Sequence, residues 1–312
     1  MENKVRIFSG SGSEVLAEKI AKSYGTTVGK KKLTRFSDGE FTVSFEESIR
    51  GQDMFIVQST MPPSENLFEL LLMIDAAKRA SAGYITAVMP YYGYARQDRK
   101  DKARVPISAK LVASLLEAAG ADRVMTMDLH ADQIQGFFDI PVDHLKSEAI
   151  FTPFMEEHDL SKVVFACPDA GGVKRARVYS KIFKKELVIC DKLRSKANKV
   201  DEIIVIGDVK NKDVILIDDI IDTAGTLCMA ADELVKKGAK SVKAFCTHPV
   251  LSGNAYEKIK ASKLSKLYVT DTMPLKQKSK KIEVLSTAML FSRAIRNVFE
   301  HKSISALFVE GS

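Results

Sequence analysis

The stretch Val214-Ile-Leu-Ile-Asp-Asp-Ile-Ile-Asp-Thr-Ala-Gly-Thr226 decides the fold of this chain. Four apolar residues bounded by charge predict a strand that is buried on both faces, as the strands of parallel sheets are. Ligands of open α/β sheets bind beyond the carboxyl ends of such strands. Asp218 and Asp219 are therefore placed to hold either vicinal hydroxyls or a metal ion.

The residues after this strand predict an anion site. Asp222, Thr223, Ala224, Gly225 and Thr226 open a helix and offer backbone N–H groups and hydroxyls at its N-terminus. A diol site beside a phosphate site describes a ribose 5-phosphate unit. The alternative interpretation is an ordinary strand-to-helix turn that an aspartate caps.

Strand-like and helical segments alternate along the whole chain. Helical spacing is clear in residues 65–79, 108–119, 225–237 and 286–299. Predicted strands cover residues 5–8, 41–45, 54–58, 84–90, 123–127, 163–167, 187–190, 203–206, 214–217, 242–247 and 267–270. This alternation predicts an α/β fold in which helices flank mostly parallel sheets.

The length of the chain, 312 residues, predicts two domains of about 150 residues each. Residues 139–146, which include Pro141, are the expected boundary. Residues 124–132 resemble residues 214–222, because each segment is an apolar strand that ends in an aspartate and has another aspartate four residues later. This short similarity suggests one fold used twice.

Composition narrows the classes of partner. The net charge is +7, but the lysines are spread along the chain and several arginines stand beside Gly/Asp loops, which indicates anionic small molecules and no nucleic acid. Four cysteines stand singly in apolar runs, which predicts buried thiols in a reducing cytoplasm. We read no signal peptide and no apolar run near the ~20 residues of a membrane span. We therefore expect a cytoplasmic protein without a membrane partner.

Asp128-Leu-His130 follows a predicted strand and is a candidate metal site. Alternate residues leaving a strand point the same way, so the carboxylate and the imidazole share one side of a cleft. Asp139 and Asp143 follow within one predicted loop. Oxygen ligands with one imidazole suit Mg²⁺ carried in on phosphates. A capping aspartate beside a packed histidine is the alternative.

A charged loop, Tyr94-Ala-Arg-Gln-Asp-Arg-Lys-Asp-Lys-Ala-Arg104, follows another predicted strand. Its five cations suit a polyphosphate, and the nearby Tyr91, Tyr92 and Tyr94 suit a nucleobase. A solvated surface loop explains the same residues.

Two more loops carry candidate residues. In residues 167–177, two glycines permit close approach to an anion, and Asp169 could share a metal or a sugar hydroxyl. In residues 191–198, Lys192 and Arg194 could stabilise charge on a transferring phosphoryl group. A plain turn and a hairpin tip, respectively, are the alternatives.

In this order, these motifs resemble the class I ribose-phosphate pyrophosphokinase family, which makes phosphoribosyl pyrophosphate (PRPP). The similarity runs nearly from end to end and includes Arg35-Phe-Ser-Asp-Gly-Glu40, Pro106-Ile-Ser-Ala-Lys-Leu-Val112 and residues 133–143. It implies two phosphoribosyltransferase-type domains. These are residues 1–145, completed by the C-terminal segment 296–312, and residues 146–295.

The family's reaction is attack by the C1 hydroxyl of ribose 5-phosphate on the β-phosphorus of Mg·ATP, which leaves AMP. PRPP then feeds nucleotide, histidine, tryptophan and NAD biosynthesis. The resemblance implies that Lys192 and Arg194 are catalytic, that Asp218 and Asp219 hold the ribose hydroxyls, and that residues 222–226 hold the 5-phosphate. Leu193 departs from the charged residue that many members carry between the catalytic pair.

The resemblance also implies the nucleotide and metal contacts. Mg²⁺, at two sites, would be held near Asp128, His130 and Asp169. ATP would contact two sets of residues: Phe36, Asp38 and Glu40 from a neighbouring subunit, and Arg96, Gln97, Arg99 and Asp101.

Members of the family are hexamers built from dimers, activated by inorganic phosphate and inhibited by ADP. The matching regulatory positions are Arg50, Ser81, Gln135, Ser303 and Ser305. Two alternatives are a PRPP-consuming phosphoribosyltransferase, which has no use for residues 96–102, and a non-catalytic regulatory relative. The presence of His130, Lys192 and Arg194 favours the enzyme.

Overall fold

The computed structural model describes residues 5–193 and 202–309. The chain divides into two compact units. The first comprises Met1–Lys146, Thr272–Pro274 and Thr287–Leu307, and the second comprises Ser147–Asp271, Leu275–Ser286 and Phe308–Ser312. Within the described ranges, every helix is too short or too polar to span a lipid bilayer.

The first unit is built on a parallel sheet. Its strands are β1 (Val5–Ser9), β2 (Lys31–Arg35), β3 (Phe41–Phe45), β4 (Asp53–Val57), β5 (Tyr84–Met89), β6 (Arg123–Met127) and β7 (Val142–Leu145), and its first helices are α1 (Glu14–Tyr24), α2 (Glu65–Arg79) and α3 (Ser108–Ala119). The sheet order is β1-β4-β5-β6-β7, with all neighbours parallel. Strands β2 and β3 form a separate antiparallel hairpin.

Hydrophobic burial explains these elements. In α2, Leu70, Met73, Ile74 and Ala77 recur at the spacing of one helix face, and all four are fully buried. They pack with the apolar residues of β4 and β5 in one core. Each large side chain buried there contributes about 2 kcal/mol relative to exposure.

The second unit contains a seven-stranded sheet. Its strands are β8 (Val163–Cys167), β9 (Leu187–Leu193), β10 (Glu202–Ile206), β11 (Asp213–Ile221), β12 (Ser241–Pro249), β13 (Lys266–Thr270) and β14 (Ile282–Leu285), and its helices are α4 (Glu148–Glu156), α5 (Val173–Ile182), α6 (Gly225–Lys236) and α7 (Ala255–Ala261). The sheet order is β10-β9-β8-β11-β12-β13-β14. Only the β9–β10 pairing is antiparallel among these described strands. The predicted α/β class, with mostly parallel sheets flanked by helices, is confirmed.

The last helix, α8 (Ala288–Phe299), belongs to the first unit. Arg296 donates a hydrogen bond to the Tyr24 carbonyl oxygen at 2.7 Å, and its guanidinium lies 4.4 Å from the Tyr24 ring centroid. These contacts join α8 to α1. The segment of the first unit that contains α8, Thr287–Leu307, begins before residue 296 and ends before residue 312.

Three strands were not predicted, and each lacks a strong local signal. Strand β2 is rich in lysine, while β7 and β14 are four-residue edge strands that carry charged residues. Strand β7 lies within residues 139–146, the stretch expected to join the domains. The two strands of the suggested repeat occupy different positions in their sheets. Strand β6 is next to the edge strand β7, whereas β11 is the middle strand of seven.

Strand β11 extends further than predicted. Its pairing with β8 ends at Leu216, opposite Ala166, whereas its pairing with β12 continues to Ile221, opposite Pro249. Asp218 and Asp219 therefore lie within the strand, where one of its two edges has lost its neighbour. The sequence predicted a ligand position beyond the carboxyl end of a strand. Asp218 and Asp219 lie beyond the pairing of β11 with β8, although not beyond the end of β11 itself.

Candidate active site

Asp218 and Asp219 form an acidic pair on the outer half of β11. The Asp219 backbone N–H donates a hydrogen bond to Asp218 Oδ1 at 2.9 Å. Arg175 of α5 donates from Nη1 to Asp219 Oδ1 at 3.0 Å, with the two side chains 21% and 7% exposed. Asp219 therefore already has a half-buried cationic partner, which local sequence patterns did not predict.

The electrostatic surroundings of Asp218 oppose its ionisation. Burial raises the pKa of Asp218 well above the usual carboxyl range, and the neighbouring Asp219 raises it further. Arg175 lowers this pKa and Asp169 raises it, both to a smaller extent. A cation or a set of hydroxyl donors at this position would therefore favour the charged form of Asp218.

The predicted anion loop, residues 222–226, joins β11 to α6. Ala224 lies in the left-handed region, with φ 58°, and α6 begins at Gly225. Ala224, the N-cap residue of this helix, makes no side-chain capping hydrogen bond. The first N–H groups of α6 are thus donors that an anion can use.

The loop is held from one side by the chain that follows β12. The Leu251 N–H donates to the Ile221 carbonyl at 3.0 Å, and the Ser252 N–H donates to the Asp222 carbonyl at 3.0 Å. The Ser252 hydroxyl also donates to the Asp222 carboxylate. The Asp222 side chain therefore serves to fix the loop.

Asp169 follows β8, next to the acidic pair within the second unit. It begins a short 3₁₀ turn and accepts a hydrogen bond from the Gly172 N–H at 3.1 Å. Gly172 is buried, and a Cβ there would lie 3.2 Å from Cys167 Cβ, so this turn packs tightly against the end of β8. The charge of Asp169 has a small raising effect on the pKa of Asp218.

Asp128 and His130 follow β6 in the first unit. Asp128 is buried at φ 38°, and its N–H donates to the Leu145 carbonyl at 3.0 Å. His130 is exposed. His144, a residue that sequence reasoning missed, accepts a hydrogen bond at Nε2 from the Leu129 N–H at 2.8 Å and so supports the loop between the two.

The structure does not bring Asp139 and Asp143 to Asp128. Asp143 lies near the beginning of β7, where its carboxylate pairs with Arg123 Nη1 at 2.8 Å. Asp139 is exposed and precedes β7. The expectation that these two residues add to the metal site was wrong. They lie at the amino end of β7, whereas Asp128 follows the carboxyl end of the parallel strand β6.

A metal would need ligands beyond these side chains. Within the described part of the chain, no group of three or more His, Cys, Asp or Glu side chains is arranged to hold an ion. Mg²⁺ usually takes one or two carboxylates and completes its shell with water and substrate phosphates. The carboxylates of Asp128 and Asp169, each in its own unit, fit that kind of binding.

The charged loop after β5 is held by contacts at Gln97 and Asp98, the latter accepting a hydrogen bond from Gln133 at 3.3 Å. The Ser108 hydroxyl donates to Gln97 Oε1, and the Ala109 N–H donates to the Gln97 carbonyl at 3.2 Å. Three other predicted ATP contacts in this loop are solvent-exposed: Arg96, Arg99 and Asp101.

The tyrosines before this loop do not form the expected base cradle. Tyr91 and Tyr92 are 6% and 2% exposed, and the Tyr92 hydroxyl donates to the Ala109 carbonyl at 2.8 Å. Both rings belong to the interior, whereas Tyr94 is 42% exposed. Tyr94 alone of the three is accessible to a ligand.

The turn between β2 and β3 presents the three other predicted ATP contacts. Phe36, Asp38 and Glu40 all lie exposed within this turn, and the Phe36 ring is 51% exposed. The Phe36 N–H donates to the Glu40 carbonyl at 2.8 Å, and the Glu40 N–H donates to Asp38 Oδ1 at 3.0 Å. The turn is thus closed by its own hydrogen bonds.

The predicted regulatory residues form two local pairs and one separate position. The Gly51 N–H, next to Arg50, donates to the Ser81 carbonyl at 2.8 Å. The Ser303 and Ser305 hydroxyls lie 2.5 Å apart. Gln135 donates to the Asp132 carbonyl at 2.9 Å.

Of the predicted catalytic pair, only the backbone of Lys192 is described. Lys192 is the sixth residue of β9 and lies opposite Ile203 of β10. Arg194 lies outside the described residues. Leu193 is the last residue of β9.

A separate cavity lies at the amino ends of the strands of the second sheet. It measures about 310 Å³ and is lined at the amino ends of β11 and β12 by residues including Asp213 and Ser241, with Phe154 and Tyr268 among its aromatic walls. The acidic pair and the anion loop lie towards the carboxyl end of β11. The cavity is therefore not the candidate site.

Sequence comparison identifies the family. The model for the N-terminal domain of ribose phosphate pyrophosphokinase matches residues 5–120, and that for the phosphoribosyl synthetase-associated domain matches residues 170–309. The ribose-phosphate pyrophosphokinase of Porphyromonas gingivalis is 54% identical over 98% of each chain. The ribose-phosphate pyrophosphokinase of Campylobacter jejuni is 52% identical over 97% of this chain and 99% of its own length.

Structure comparison agrees. The crystal structure of phosphoribosylpyrophosphate synthetase from Mycobacterium smegmatis matches with a TM-score of 0.90 at 42% identity, over 95% of this chain and 99% of that one. The resemblance drawn from the motifs is thus confirmed over almost the full length, and the chain belongs to the ribose-phosphate pyrophosphokinase family.

Proposed function

We propose that this protein transfers the pyrophosphoryl group of ATP to the C1 hydroxyl of ribose 5-phosphate, producing PRPP and AMP. The observation that carries the proposal is the continuity of β11 with its loop. The strand that carries Asp218 and Asp219 leads through three residues into α6, which begins at Gly225 and whose N-cap residue makes no side-chain capping hydrogen bond. A sugar that bears hydroxyls and a phosphate matches that succession of acceptors and donors.

The second unit would bind ribose 5-phosphate. Asp218 would accept hydrogen bonds from the ribose hydroxyls, and Asp219, oriented by Arg175, would do the same. The 5-phosphate would accept hydrogen bonds from the N–H groups and hydroxyls of residues 222–226. Because several donors converge on one anion, the sugar would be fixed in both position and orientation.

The first unit would bind ATP. The exposed cations of the charged loop, Arg96 and Arg99, suit its phosphates, and Gln97 is held in place by Ser108. Asp101 lies in the same loop. The exposed turn with Phe36, Asp38 and Glu40 would contact the adenine and ribose of ATP on a neighbouring subunit. Tyr94 is accessible on the same loop as the arginines.

Mg²⁺, at two sites, would be held through Asp128, His130 and Asp169. When bound, it neutralises the phosphate charges of ATP and the charge that develops during transfer. The residues of this chain would do the rest by positioning. Oxygen donors on rigid strand ends keep the ligand positions constant between turnovers.

In the reaction, the C1 oxygen of ribose 5-phosphate forms a bond to the β-phosphorus of ATP. The bond from that phosphorus to the oxygen bridging the α- and β-phosphates breaks, and AMP leaves with the bridging oxygen. The proton of the C1 hydroxyl passes to solvent, so the products are AMP, PRPP and one proton. Lys192 and Arg194 would stabilise the negative charge on the transferring group.

Assembly and regulation form the remaining part of the proposal. A hexamer built from dimers would let the exposed hairpin turn reach a neighbouring subunit. Inorganic phosphate would activate the enzyme and ADP would inhibit it. Both would act through the five regulatory positions: Arg50, Ser81, Gln135, Ser303 and Ser305.

The test is ³¹P NMR of the purified protein with ATP, ribose 5-phosphate, Mg²⁺ and phosphate. We expect AMP and PRPP signals to grow equally, and neither to grow when ribose 5-phosphate is omitted. Formation of ADP in place of AMP would mean ordinary phosphoryl transfer and would refute the mechanism. No turnover under these conditions would favour the non-catalytic regulatory relative.

A further inference from the structure

Lys258 lies beside the anion loop, although it stands 35 positions further along the chain than Thr223. It belongs to α7, and its side chain is half-buried. Its ammonium Nζ donates a hydrogen bond to the Thr223 carbonyl at 3.2 Å. No motif singled out this residue, because its neighbours in sequence read as an ordinary helix.

Lys258 completes a row of contacts that we name the brace, residues 251–258. The carbonyls of Ile221, Asp222 and Thr223 are consecutive, and each accepts a hydrogen bond from the brace: from the Leu251 N–H, the Ser252 N–H and Lys258 Nζ. Holding three successive carbonyls on one side constrains the peptide planes of the loop. The constraint leads into the left-handed Ala224 and the start of α6.

The position of the ammonium also matters for charge. A Cβ built on Gly225 would lie 3.9 Å from Lys258 Nζ and 3.7 Å from the Thr223 hydroxyl oxygen. The charge therefore lies beside the first residue of α6. The loop itself contributes the carboxylate of Asp222 and no cation, whereas a phosphate ester carries about −1.5 to −2 charges at neutral pH.

We propose that Lys258 is a positioning residue that selects a phosphomonoester at the anion loop. It holds the Thr223 carbonyl in place and sets a positive charge next to the phosphate. This inference rests on the proposed function, since the phosphomonoester is taken to be the 5-phosphate of ribose 5-phosphate. The ammonium has three donors and uses one on Thr223, so it can also donate to the phosphate.

The experiment compares Lys258→Gln, Lys258→Arg and a matched control, Lys260→Gln, which removes an exposed charge from the same helix. We expect Lys258→Gln to raise the KM for ribose 5-phosphate about tenfold, equivalent to about 1.4 kcal/mol. The KM for ATP and kcat should change less than about threefold. Lys258→Arg and Lys260→Gln should stay near the wild type.

Two further measurements separate charge from structure. Isothermal titration calorimetry with ribose 5-phosphate, without ATP, should show about tenfold weaker binding to Lys258→Gln than to the wild type. Raising the KCl concentration should weaken binding to the wild type more than binding to this variant, because salt screens a charge that the variant lacks. A thermal midpoint near that of the wild type would show that the variant is folded.

An unchanged KM for ribose 5-phosphate in Lys258→Gln would overturn the proposal. So would equal impairment in Lys258→Gln and Lys258→Arg, or an unaltered salt dependence, because both outcomes remove the role of charge. Failure of the proposed function looks different: the wild-type protein itself would form no PRPP.

Discussion

The ammonium of Lys31 lies 2.6 Å from Glu69 Oε1, in an ion pair whose side chains are only 13% and 3% exposed. The same carboxylate accepts hydrogen bonds from the Ser11 N–H at 3.1 and 3.0 Å. Ser11 belongs to the loop Gly10-Ser-Gly12 after β1, and glycine-rich loops in that position often bind anions. Here the anion is the carboxylate of Glu69, which bonds to that loop and connects β2 of the hairpin to α2.

Replacing Glu69 should therefore loosen the hairpin that carries Phe36. Glu69→Ala leaves the Lys31 ammonium buried without its partner, which should cost about 3 kcal/mol of unfolding free energy. The KM for ATP should rise as well, since the proposed adenine contacts are on this hairpin. Urea unfolding followed by circular dichroism would measure the first effect, and steady-state kinetics the second.

Glu65→Ala is the matched control. Glu65 lies one turn earlier on α2, and its pair with Arg35 is long, at 3.9 Å, with side chains 51% and 55% exposed. An exposed pair of this kind is worth less than about 1 kcal/mol. Equal losses of stability in the two variants would contradict the assignment of Glu69 to a buried anchor.

Asp218→Asn should stabilise the ligand-free protein while abolishing tight binding of ribose 5-phosphate. Because burial raises the pKa of Asp218 in the folded state, its contribution to stability is present below the pKa of the unfolded chain. That contribution is lost as the pH rises through the folded pKa. At pH 8 the variant should melt about 2 °C higher or more, and this advantage should shrink towards pH 4.

Differential scanning fluorimetry over that pH range, without Mg²⁺ or substrate, measures the effect. Asp208→Asn is a control of opposite sign. Hydrogen bonding from the Lys210 N–H lowers the pKa of Asp208, an exposed residue, so its replacement should not raise the melting temperature. A lower melting temperature for Asp218→Asn at pH 8 would refute our account of its burial.

Arg175→Met should weaken the ribose site through Asp219. The variant removes the guanidinium that pairs with this buried carboxylate, next to the second carboxylate of Asp218. We expect the KM for ribose 5-phosphate to rise about tenfold, in line with the loss of a charge-assisted hydrogen bond. Arg177→Met, an exposed residue of the same helix, is the control, and similar KM values for the two variants would count against the role.

Lys192→Ala should lower kcat by orders of magnitude with little change in either KM. The proposed role acts on charge that develops only in the transition state, and such interactions affect kcat. Rapid-quench measurement of AMP formation would test it, with Lys210→Ala, an exposed lysine before β11, as the control. A large rise in KM with kcat intact would assign Lys192 to substrate binding.

Local sequence signals were sufficient for the main elements of the fold. The apolar run of β11 predicted a buried parallel strand, and the spacing of residues 65–79 predicted α2, because both patterns depend on residues that lie close together in the chain. Strands β2, β7 and β14 were missed. Their short or charged sequences carry little intrinsic preference, and pairing with a neighbouring strand stabilises them instead.

The candidate site divides in the same way. The sequence by itself located the acidic pair and the candidate anion loop, because each is contiguous in the chain. The order of such motifs also determined the family. Only the tertiary structure decided which charges meet: Arg175 with Asp219 across 44 positions, Lys31 with Glu69 across 38, and Lys258 with Thr223 across 35. Partners at such separations are chosen by the packing of helices on sheets, which no local periodicity encodes.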